Sequence, residues 1–259
     1  MKKLYDHNVI KINKKPLFSI ITVVLNQERY LVQTIKSLLK QKINDYEYIV
    51  IDGGSTDQTL NIIKKYKKKI SYWESKKDKG IYDAFNKGIR RAKGQYICIL
   101  NSDDRFTANG LKIIKDYIDK YPDKDFIFGS VRKHWGILHG YRPKKIWYSW
   151  GFYSSHSTGF FIKNKSAKKI GKYNIRYKYH ADYDYFYRMI AKKKMKGIAT
   201  KKNEVVGIFR RGGFSSTIPH RKMFVEELKI RYNNGQGIIL VLILGIYKIL
   251  NYWKKKLIK

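Results

Sequence analysis

Residues 95–104 read Gln-Tyr-Ile-Cys-Ile-Leu-Asn-Ser-Asp-Asp, a short apolar run that ends in two adjacent carboxylates. An uninterrupted apolar run of this length is typical of a strand buried on both faces of a parallel sheet. In open parallel sheets, ligands bind at the carboxyl ends of the strands. Asp103 and Asp104 would lie at such an end, where they repel each other unless a cation or hydrogen-bond donors compensate. A divalent metal bound by one carboxylate and substrate phosphates is one interpretation, and two solvated acids in a turn is the other.

Strand and helix patterns alternate around this run over the first 120 residues, which predicts an α/β fold with a Rossmann-like, mostly parallel sheet flanked by helices. The predicted strands are 18–25, 46–51, 70–73, 95–100, one beginning at 126–128, 158–162 and 204–209. The predicted helices are 28–40, 57–66, 81–92, 109–120, 182–191 and two beyond Pro219.

A second polar turn, Asp52-Gly53-Gly54-Ser55-Thr56-Asp57, follows the predicted strand 46–51. Its two glycines allow a tight turn and close approach of a backbone or ligand. Asp57 or Thr56 could cap the following helix, because short polar side chains satisfy free amides at helix starts. Asp52, at the strand tip, is better explained as an acceptor of hydrogen bonds from a ligand.

The charge is extreme: 56 Lys and Arg against 20 Asp and Glu give a formal net charge of +36 over 259 residues. Such an excess predicts attraction to an anionic partner, namely nucleic acid, an acidic bilayer or a phosphate-bearing substrate. An alternative source of part of the excess is base composition, since Lys, Ile, Asn and Tyr are all favoured by AT-rich codons. The single cysteine, Cys98, excludes a disulfide framework and a Cys-based zinc site.

The motifs bear on two functional classes. A nucleic-acid-binding protein would explain the charge, but it lacks a recognised binding motif and its acids cluster where a phosphate backbone would be repelled. A nucleotidyltransferase would need a Gly-rich, basic signature near the N-terminus, which the sequence lacks. The motifs GxGxxG, GxxxxGK[ST] and GxSxG are also absent.

The C-terminal part, residues 219–259, is predicted to be a helical tail that follows a larger domain of residues 1–218. Its apolar run, 238–246, is too short to span a bilayer. Aromatic residues and lysines flank this run, which suits an interfacial anchor on an anionic membrane. A helix packed on the domain and a dimer contact are the alternatives, and the oligomeric state is open. The N-terminus lacks a signal peptide, so we expect the cytoplasm, at the inner face of the plasma membrane.

Six segments together resemble glycosyltransferase family 2, whose members have the GT-A fold. They are FSIITVVLN, IDGGSTDQT, SKKDKGIYDAFNKGIRRAKGQYICILNSDD, HSTGFFIK, ADYDYFYRM and FRRGGFSS, in the family's order over about 18–216. The sequence is most similar to bacterial members that build surface polysaccharides such as capsule or O-antigen. The resemblance implies an inverting, metal-dependent hexosyltransferase. It would use a nucleotide-diphospho-sugar, usually with uracil as the base, and a saccharide or lipid-linked saccharide acceptor.

The resemblance also implies a set of donor contacts. The first strand and its tip would line the nucleotide site largely by backbone, and Asp52 would accept from the base or ribose. Asp83 and Asn86 lie about one helical turn apart and could both face the donor sugar. The implied nucleotide-sugar-binding residues are Thr22, Val24, Asn26, Asp52, Asp78, Asp83, Asn86 and Asp103.

Two acids receive chemical roles from the resemblance. Asp104 would coordinate Mg²⁺ or Mn²⁺ at the donor diphosphate, and the metal would stabilise the leaving group. Asp182 matches the family's general base, although Ala181 stands where the usual pattern has Glu. An N-cap role for Asp182 is the alternative, and Asp184 is given a structural role. His156, Arg210 and Arg211 are candidate acceptor or diphosphate contacts, with a solvated basic turn as the alternative for the two arginines.

Overall fold

The structure is a computed structural model that describes residues 15–148, 157–212 and 219–257. Its strands are β1 Phe18–Val24, β2 Tyr46–Asp52, β3 Tyr72–Ser75, β4 Tyr96–Ile99, β5 Arg105–Phe106, β6 Phe126–Phe128, β7 Ser130–Lys133, β8 Gly136–Leu138, β9 Phe160–Lys163, β10 Gly197–Ala199 and β11 Val205–Ile208. Its α-helices are α1 Leu31–Leu39, α2 Thr59–Lys65, α3 Ile81–Arg91, α4 Gly110–Lys120, α5 Lys145–Tyr148, α6 Asn164–Ile170, α7 Ala181–Tyr187, α8 His220–Asn233 and α9 Ile238–Leu257. A π-helical turn, Arg188–Lys192, extends α7.

Seven strands form the main sheet, in the order β10-β6-β9-β4-β1-β2-β3. Strand β9 runs antiparallel to both of its neighbours, β4 and β6, whereas the remaining pairs are parallel. The predicted α/β fold with a mostly parallel sheet is therefore confirmed. Strand β1 lies between β4 and β2 and is parallel to both, so the carboxyl ends of these three strands are neighbours.

Every residue of β1 is buried, so both faces of the sheet are covered at this strand. Side chains alternate along a strand, so Ile21 and Val23 enter one apolar core while Ile20 and Val24 enter the other. Helix α3 packs on the first face through residues that include Phe85. On the second face α1 contributes three fully buried side chains, Leu31, Ile35 and Leu38.

A second sheet has the order β5-β11-β7-β8. Strands β7 and β8 form a hairpin, and β11 pairs parallel to β7 and antiparallel to β5. Gly136 and Gly140, at either end of β8, have positive φ angles of 140° and 84°. This small sheet follows the acid pair in sequence and leads from β11 directly to Arg210.

Helix α8 is integrated into the body of the protein. Ile230 is fully buried in a core, and the buried Arg231 donates to the Trp147 carbonyl at 2.8 Å and to Glu227 at 2.9 Å. Helix α9 packs on α8 through Val241, Leu244 and neighbouring positions on the same stripe. Within the described part of the chain, no helix is long and apolar enough to cross a membrane. The domain division at residue 218 remains a prediction.

Several element bounds differ from the sequence-based expectation. The strand expected at 158–162 is a 3₁₀ turn, Ser157–Gly159, followed by β9, and the helix expected at 182–191 changes to a π-helical turn after Tyr187. Helix α6, strand β10 and the β7–β8 hairpin were not predicted. Short strands such as β10 depend on partners that are distant in sequence, and three residues carry little periodicity of their own.

Candidate functional site

Asp52, the last residue of β2, is fully buried and its carboxylate is held by two serines. The Ser75 hydroxyl donates to Oδ2 at 2.6 Å, and both the hydroxyl and the main-chain amide of Ser55 donate to the same carboxylate. Sequence analysis missed both serines as partners. These bonds fix the Asp52 side chain at the sheet edge.

Asp78 lies directly against the glycine turn that follows Asp52. An added Cβ atom at Gly53 would lie 2.6 Å from Asp78 Oδ2, so a larger residue there would displace the Asp78 carboxylate. Gly54 has a φ of 90°, a conformation that glycine adopts without strain. Burial, with added repulsion from Asp83 and Asp52, raises the pKa of the Asp78 carboxyl. A ligand that donates hydrogen bonds to Asp78 would relieve this cost.

The two predicted donor-sugar residues on α3 have different surroundings. Asp83 is partly exposed, accepts from the Lys79 amide at 3.1 Å and lies 3.7 Å from the Lys87 ammonium. Asn86 is buried, and both ends of its amide bond the main chain of Tyr173, each at 2.9 Å. The geometry thus gives Asn86 a role in holding that segment, and Asp83 alone of the pair remains available to a donor.

The predicted residues of β1 differ in the same way. Thr22 is fully buried within the sheet and accepts a hydrogen bond from Tyr48 at 3.0 Å. The Val24 carbonyl accepts from the Gly53 amide at 2.9 Å. Asn26 is exposed with a φ of 51°, and its side chain accepts from the Thr56 amide at 2.8 Å. The strand tip therefore shapes the glycine turn, while Thr22 lies one layer below it.

The acid pair after β4 has distant partners. Asp104 is fully buried; its carboxylate accepts from the Thr158 hydroxyl at 2.7 Å and from the Arg210 amide at 3.3 Å. Asp103 lies 3.3 Å from the Arg210 guanidinium. Arg210 Nη2 thus provides one of the compensating charges that two adjacent carboxylates require.

Arg210 also stacks on an aromatic ring, because its guanidinium carbon lies 3.9 Å from the centroid of Tyr30. Its Nε is buried and has no hydrogen-bond partner among the described residues. Arg211 is exposed. His156, the third candidate contact, lies outside the described residues.

Lys133, at the end of β7, is a cation that sequence analysis missed. Its ammonium lies 4.6 Å from the ring centroid of Phe209 and makes no ion pair with any described residue. Partial burial lowers the pKa of Lys133, an effect opposed by the nearby carboxylates Asp104 and Asp182. A lysine next to those two acids has the charge and position to bind an anion, and no local signal in β7 distinguishes it from the many other lysines.

Asp182 lies in the first turn of α7, where His180 is the N-cap. Its Oδ1 accepts from the Tyr82 hydroxyl at 3.2 Å and from the Tyr183 amide at 2.9 Å. The alternative role of Asp182 as the helix N-cap is therefore wrong, because the N-cap, His180, lies two residues earlier. Asp184, on the other side of the helix, is buried and ion-paired with Arg188 at 2.9 Å, as a structural role requires.

The site consists of two groups of acids on one sheet edge. Asp52, Asp78 and Asp83 follow β2 and β3, while Asp103 and Asp104 follow β4. One strand, β1, separates β2 from β4, so the two strand tips lie about 10 Å apart. That span suits an extended ligand with hydrogen-bond donors at one end and anionic groups, facing Lys133 and Arg210, at the other.

A metal ion would have a restricted set of protein ligands here. No group of three His, Cys, Asp or Glu side chains within the described ranges could hold one unaided. Mg²⁺ commonly uses only one or two carboxylates, with water and substrate phosphates completing its shell. Besides Asp103 and Asp104, the same turn contains Asn101, whose buried Oδ1 lacks a hydrogen-bond partner among the described residues. This all-oxygen donor set fits the predicted Mg²⁺ or Mn²⁺.

Comparison with known proteins identifies the class. The fold matches that of TarS from S. aureus, with a TM-score of 0.65 and 18% identity over 83% of this chain and 39% of TarS. It also matches the mannosyltransferase PcManGT from Pyrobaculum calidifontis, solved with GDP-Man and Mn²⁺ (TM-score 0.65, 16% identity, 91% of this chain and 70% of that one). The expected GT-A glycosyltransferase fold is confirmed.

The family model for glycosyl transferase family 2 matches residues 19–198, and the chain belongs to this family. A PGL/p-HBAD biosynthesis glycosyltransferase of Mycobacterium bovis is 27% identical over 238 residues, which cover 88% of this chain and 90% of that protein. An uncharacterized glycosyltransferase of Methanocaldococcus jannaschii is 29% identical over 191 residues, 68% of this chain and 66% of that protein. The chain is therefore a glycosyltransferase, and neither the nucleic-acid-binding nor the nucleotidyltransferase alternative is favoured.

Proposed function

We propose that the enzyme transfers a sugar, with inversion, from a UDP-sugar to a saccharide or lipid-linked saccharide in bacterial surface-polysaccharide synthesis. The observation that carries the proposal is the pair of acid groups about 10 Å apart on one sheet edge, with two cations beside the second group. TarS has been solved with UDP-GlcNAc at 18% identity to this chain, which supports a uridine donor.

The donor would bind across the three strand tips. Asp52 and Asp78 accept hydrogen bonds from the base and ribose, and Asp83 and Asp103 face the sugar end. Lys133 and Arg210 contact the diphosphate, where charge-assisted hydrogen bonds to phosphate are strong. Arg210 exchanges its ion pair with Asp103 for phosphate oxygens, and its loop then covers the donor.

Asp104 would hold the divalent cation, which supplies Lewis-acid stabilisation of the leaving nucleoside diphosphate. Asp104 is oriented by Thr158 and by the Arg210 amide, so its carboxylate direction is set before the donor arrives. Buried, pre-oriented groups of this kind need little reorganisation during the reaction.

Asp182 would act as the general base. Tyr82 and the Tyr183 amide both donate to Oδ1, which leaves Oδ2 to take the proton from the acceptor hydroxyl. The hydroxyl oxygen forms a bond to the anomeric carbon as the bond to the diphosphate breaks. A single displacement of this kind inverts the anomeric centre.

The test of the donor proposal is a screen of nucleotide-sugars that follows release of nucleoside diphosphate with Mn²⁺ or Mg²⁺ present. We expect release from a UDP-sugar, loss of release with EDTA, and an inverted product linkage by NMR. Release of pyrophosphate instead would indicate nucleotidyl transfer and overturn the proposal. Release from GDP-sugars alone would overturn the choice of base.

We also propose that α9 binds the surface of an anionic membrane at the cytoplasmic face. Over residues 238–250, where the side chains are described, one stripe of this helix packs on α8 and nine large apolar side chains are exposed. Three consecutive lysines, 254–256, follow in sequence. A net charge of +36 disfavours self-association through this face and favours an anionic surface. The exposed residues are Ile238, Ile239, Leu240, Leu242, Ile243, Ile246, Tyr247, Ile249 and Leu250.

Vesicle sedimentation tests this contact. The native chain should bind phosphatidylglycerol vesicles more tightly than phosphatidylcholine vesicles, and a triple change to serine at Leu242, Ile243 and Ile246 should abolish binding. Ile175→Ser, at a comparably exposed position away from α9, is the control. A dimer that the triple change dissociates, measured by analytical ultracentrifugation, would show that a second copy covers the face instead.

A further inference from the structure

A groove of about 1110 Å³ lies between the segment before α7 and one face of α8. It is separate from the acid groups at the sheet edge. Arg221, Lys222 and Lys229 line it from α8, while Arg176 and Tyr179 line it from the opposite side. None of the roles assigned above uses this groove.

The two acids in the groove are already engaged. Glu226 accepts from three successive main-chain amides, those of Lys178, Tyr179 and His180, at 2.6, 2.7 and 2.8 Å. Asp184 accepts from Arg188 Nε and from the Asn234 amide, each at 2.9 Å. These bonds occupy most of the acceptor positions of both carboxylates and fix the walls of the groove.

The cations in the groove are not neutralised in the same way. Arg176, Arg221, Lys222 and Lys229 are exposed and form no ion pair within the described part of the chain. The first turn of α8, which holds Arg221 and Lys222, contains no acidic residue. The helix dipole adds positive potential at that end. The groove therefore attracts anions, and guanidinium groups suit phosphate in particular.

Tyr179 connects the groove to Asp182, the proposed general base. The Tyr82 hydroxyl lies 3.1 Å from the Tyr179 carbonyl and 3.2 Å from Asp182 Oδ1, and its single proton is shared between these two acceptors. Tyr82 thus links Tyr179, which lines the groove, to Asp182, which would deprotonate the acceptor. A ligand in the groove would be next to the acceptor side of the site, not the donor side.

We propose that this groove binds a phosphate ester or diphosphate group carried by the acceptor, an inference that rests on the proposed function. The acceptor sugar then lies at Asp182 while its phosphate lies against Arg176, Arg221 and Lys229. Helix α9 packs on a different face of α8, where Gly245 approaches Leu228 and Lys248 lies 3.9 Å from Glu227, so it leaves the groove open.

Calorimetric titration of the full chain tests the proposal. Geranyl diphosphate serves as the lipid-carried probe and inorganic pyrophosphate as the free one, both in EDTA to keep metal-dependent donor binding silent. The groove variant carries Arg221→Gln, Lys222→Gln and Lys229→Gln. The matched control removes the same charge at Lys64, Lys65 and Lys68, which are exposed on and after α2. All six positions are exposed, and thermal melting checks that both variants fold.

We expect the groove variant to bind the diphosphate probes at least about tenfold more weakly and the control variant to match the native chain. Tighter binding of geranyl diphosphate identifies a lipid carrier, and equal binding identifies the phosphate alone as the recognised group. Binding that the groove variant keeps, or absence of binding by the native chain, overturns the proposal. Preference for a short oligonucleotide, lost in the groove variant, would also overturn it.

Donor binding is titrated separately on the same native preparation with Mn²⁺. A chain that binds diphosphate probes in EDTA but no nucleotide-sugar contradicts the proposed function and leaves an anion groove without an acceptor role. A chain that binds a donor but no diphosphate in the groove keeps the proposed function and loses this inference. The two failures are therefore distinguishable.

Discussion

Asp52 and Asp104 are both fully buried carboxylates at the carboxyl ends of strands on one sheet edge, yet they are held differently. Asp52 is bonded by Ser55 and Ser75, which are 3 and 23 residues away. Asp104 is bonded by Thr158 and Arg210, which are 54 and 106 residues away. Asp52 is thus held by adjacent loops, whereas Asp104 is held only once two distant segments, the Ser157–Gly159 turn and the end of β11, pack against it.

Asp182 resembles Asp104 in this respect, because its partner Tyr82 is 100 residues away in the sequence. Asp182→Asn should lower transfer by about 10² to 10⁴-fold while donor binding is retained, since a general base contributes in that range. Steady-state transfer assays and donor titration measure the two effects. Asp116→Asn, which changes an exposed acid on α4, is the control. Full activity in Asp182→Asn would remove the base assignment.

The two buried acids should differ in their dependence on metal. Asp104→Asn should abolish the gain in donor affinity that Mn²⁺ provides, about 100-fold, because an amide is a weak ligand for a hard cation. Asp52→Asn should weaken the donor only about tenfold and leave the Mn²⁺ effect intact, because it removes one charged acceptor from the base or ribose. Equal responses of the two variants to Mn²⁺ would contradict the proposal that Asp104 holds the metal and Asp52 does not.

The same difference explains how much of the molecule could be predicted. The strand tips at Asp52 and at Asp103–Asp104 were found because buried strands followed by polar turns are local patterns. Strand β9 is antiparallel, which its sequence does not reveal, because direction depends on pairing with β4 and β6. Lys133 was missed for a similar reason. Only the docking of β7 brings it near Asp104 and Asp182, and its type is too common in this chain to be informative.

The direction of individual side chains could not be predicted from the sequence either. Asn86 lies one helical turn after Asp83, and both were expected at the donor sugar. The structure turns the Asn86 amide onto the Tyr173 backbone, since a buried amide must satisfy its donor and its acceptor. Helix α8 was expected in a separate tail, but its buried Arg231 bonds carbonyls of α5, a contact that a helical pattern does not contain.

Lys133 should show its role in a pH profile. Lys133→Gln should lower kcat/KM about tenfold through loss of one phosphate contact. The pKa of Lys133 is lowered from 10.5, so its charge is present below that lowered pKa and is lost as pH rises through it. Native kcat/KM, which reports the free enzyme, should therefore fall at alkaline pH before a free lysine would titrate.

Lys133→Arg should keep activity and move that alkaline limb to higher pH, because arginine stays charged. Lys112→Gln, at an exposed position on α4, controls for the loss of one positive charge. An alkaline limb that is identical in the native chain and Lys133→Arg would assign the titration to another group and remove Lys133 from donor binding.

The smallest effect is expected where α4 supports β11 and hence the Arg210 loop. Glu204 accepts from the Tyr117 hydroxyl at 2.6 Å and from the Lys201 amide at 2.9 Å, and the Tyr117 bond is the main cause of its lowered pKa. A carboxyl with a folded-state pKa below 4.5 stabilises the protein above that pH, and the contribution is lost as pH falls through the folded-state value. Glu204→Gln should therefore lower the free energy of unfolding by less than about 1 kcal/mol near neutral pH and by still less at about pH 3. Urea denaturation at both pH values measures this, and Tyr117→Phe should reproduce most of the loss. A deficit that is the same at both pH values would mean that packing around β11, and not the ionised carboxylate, carries the effect.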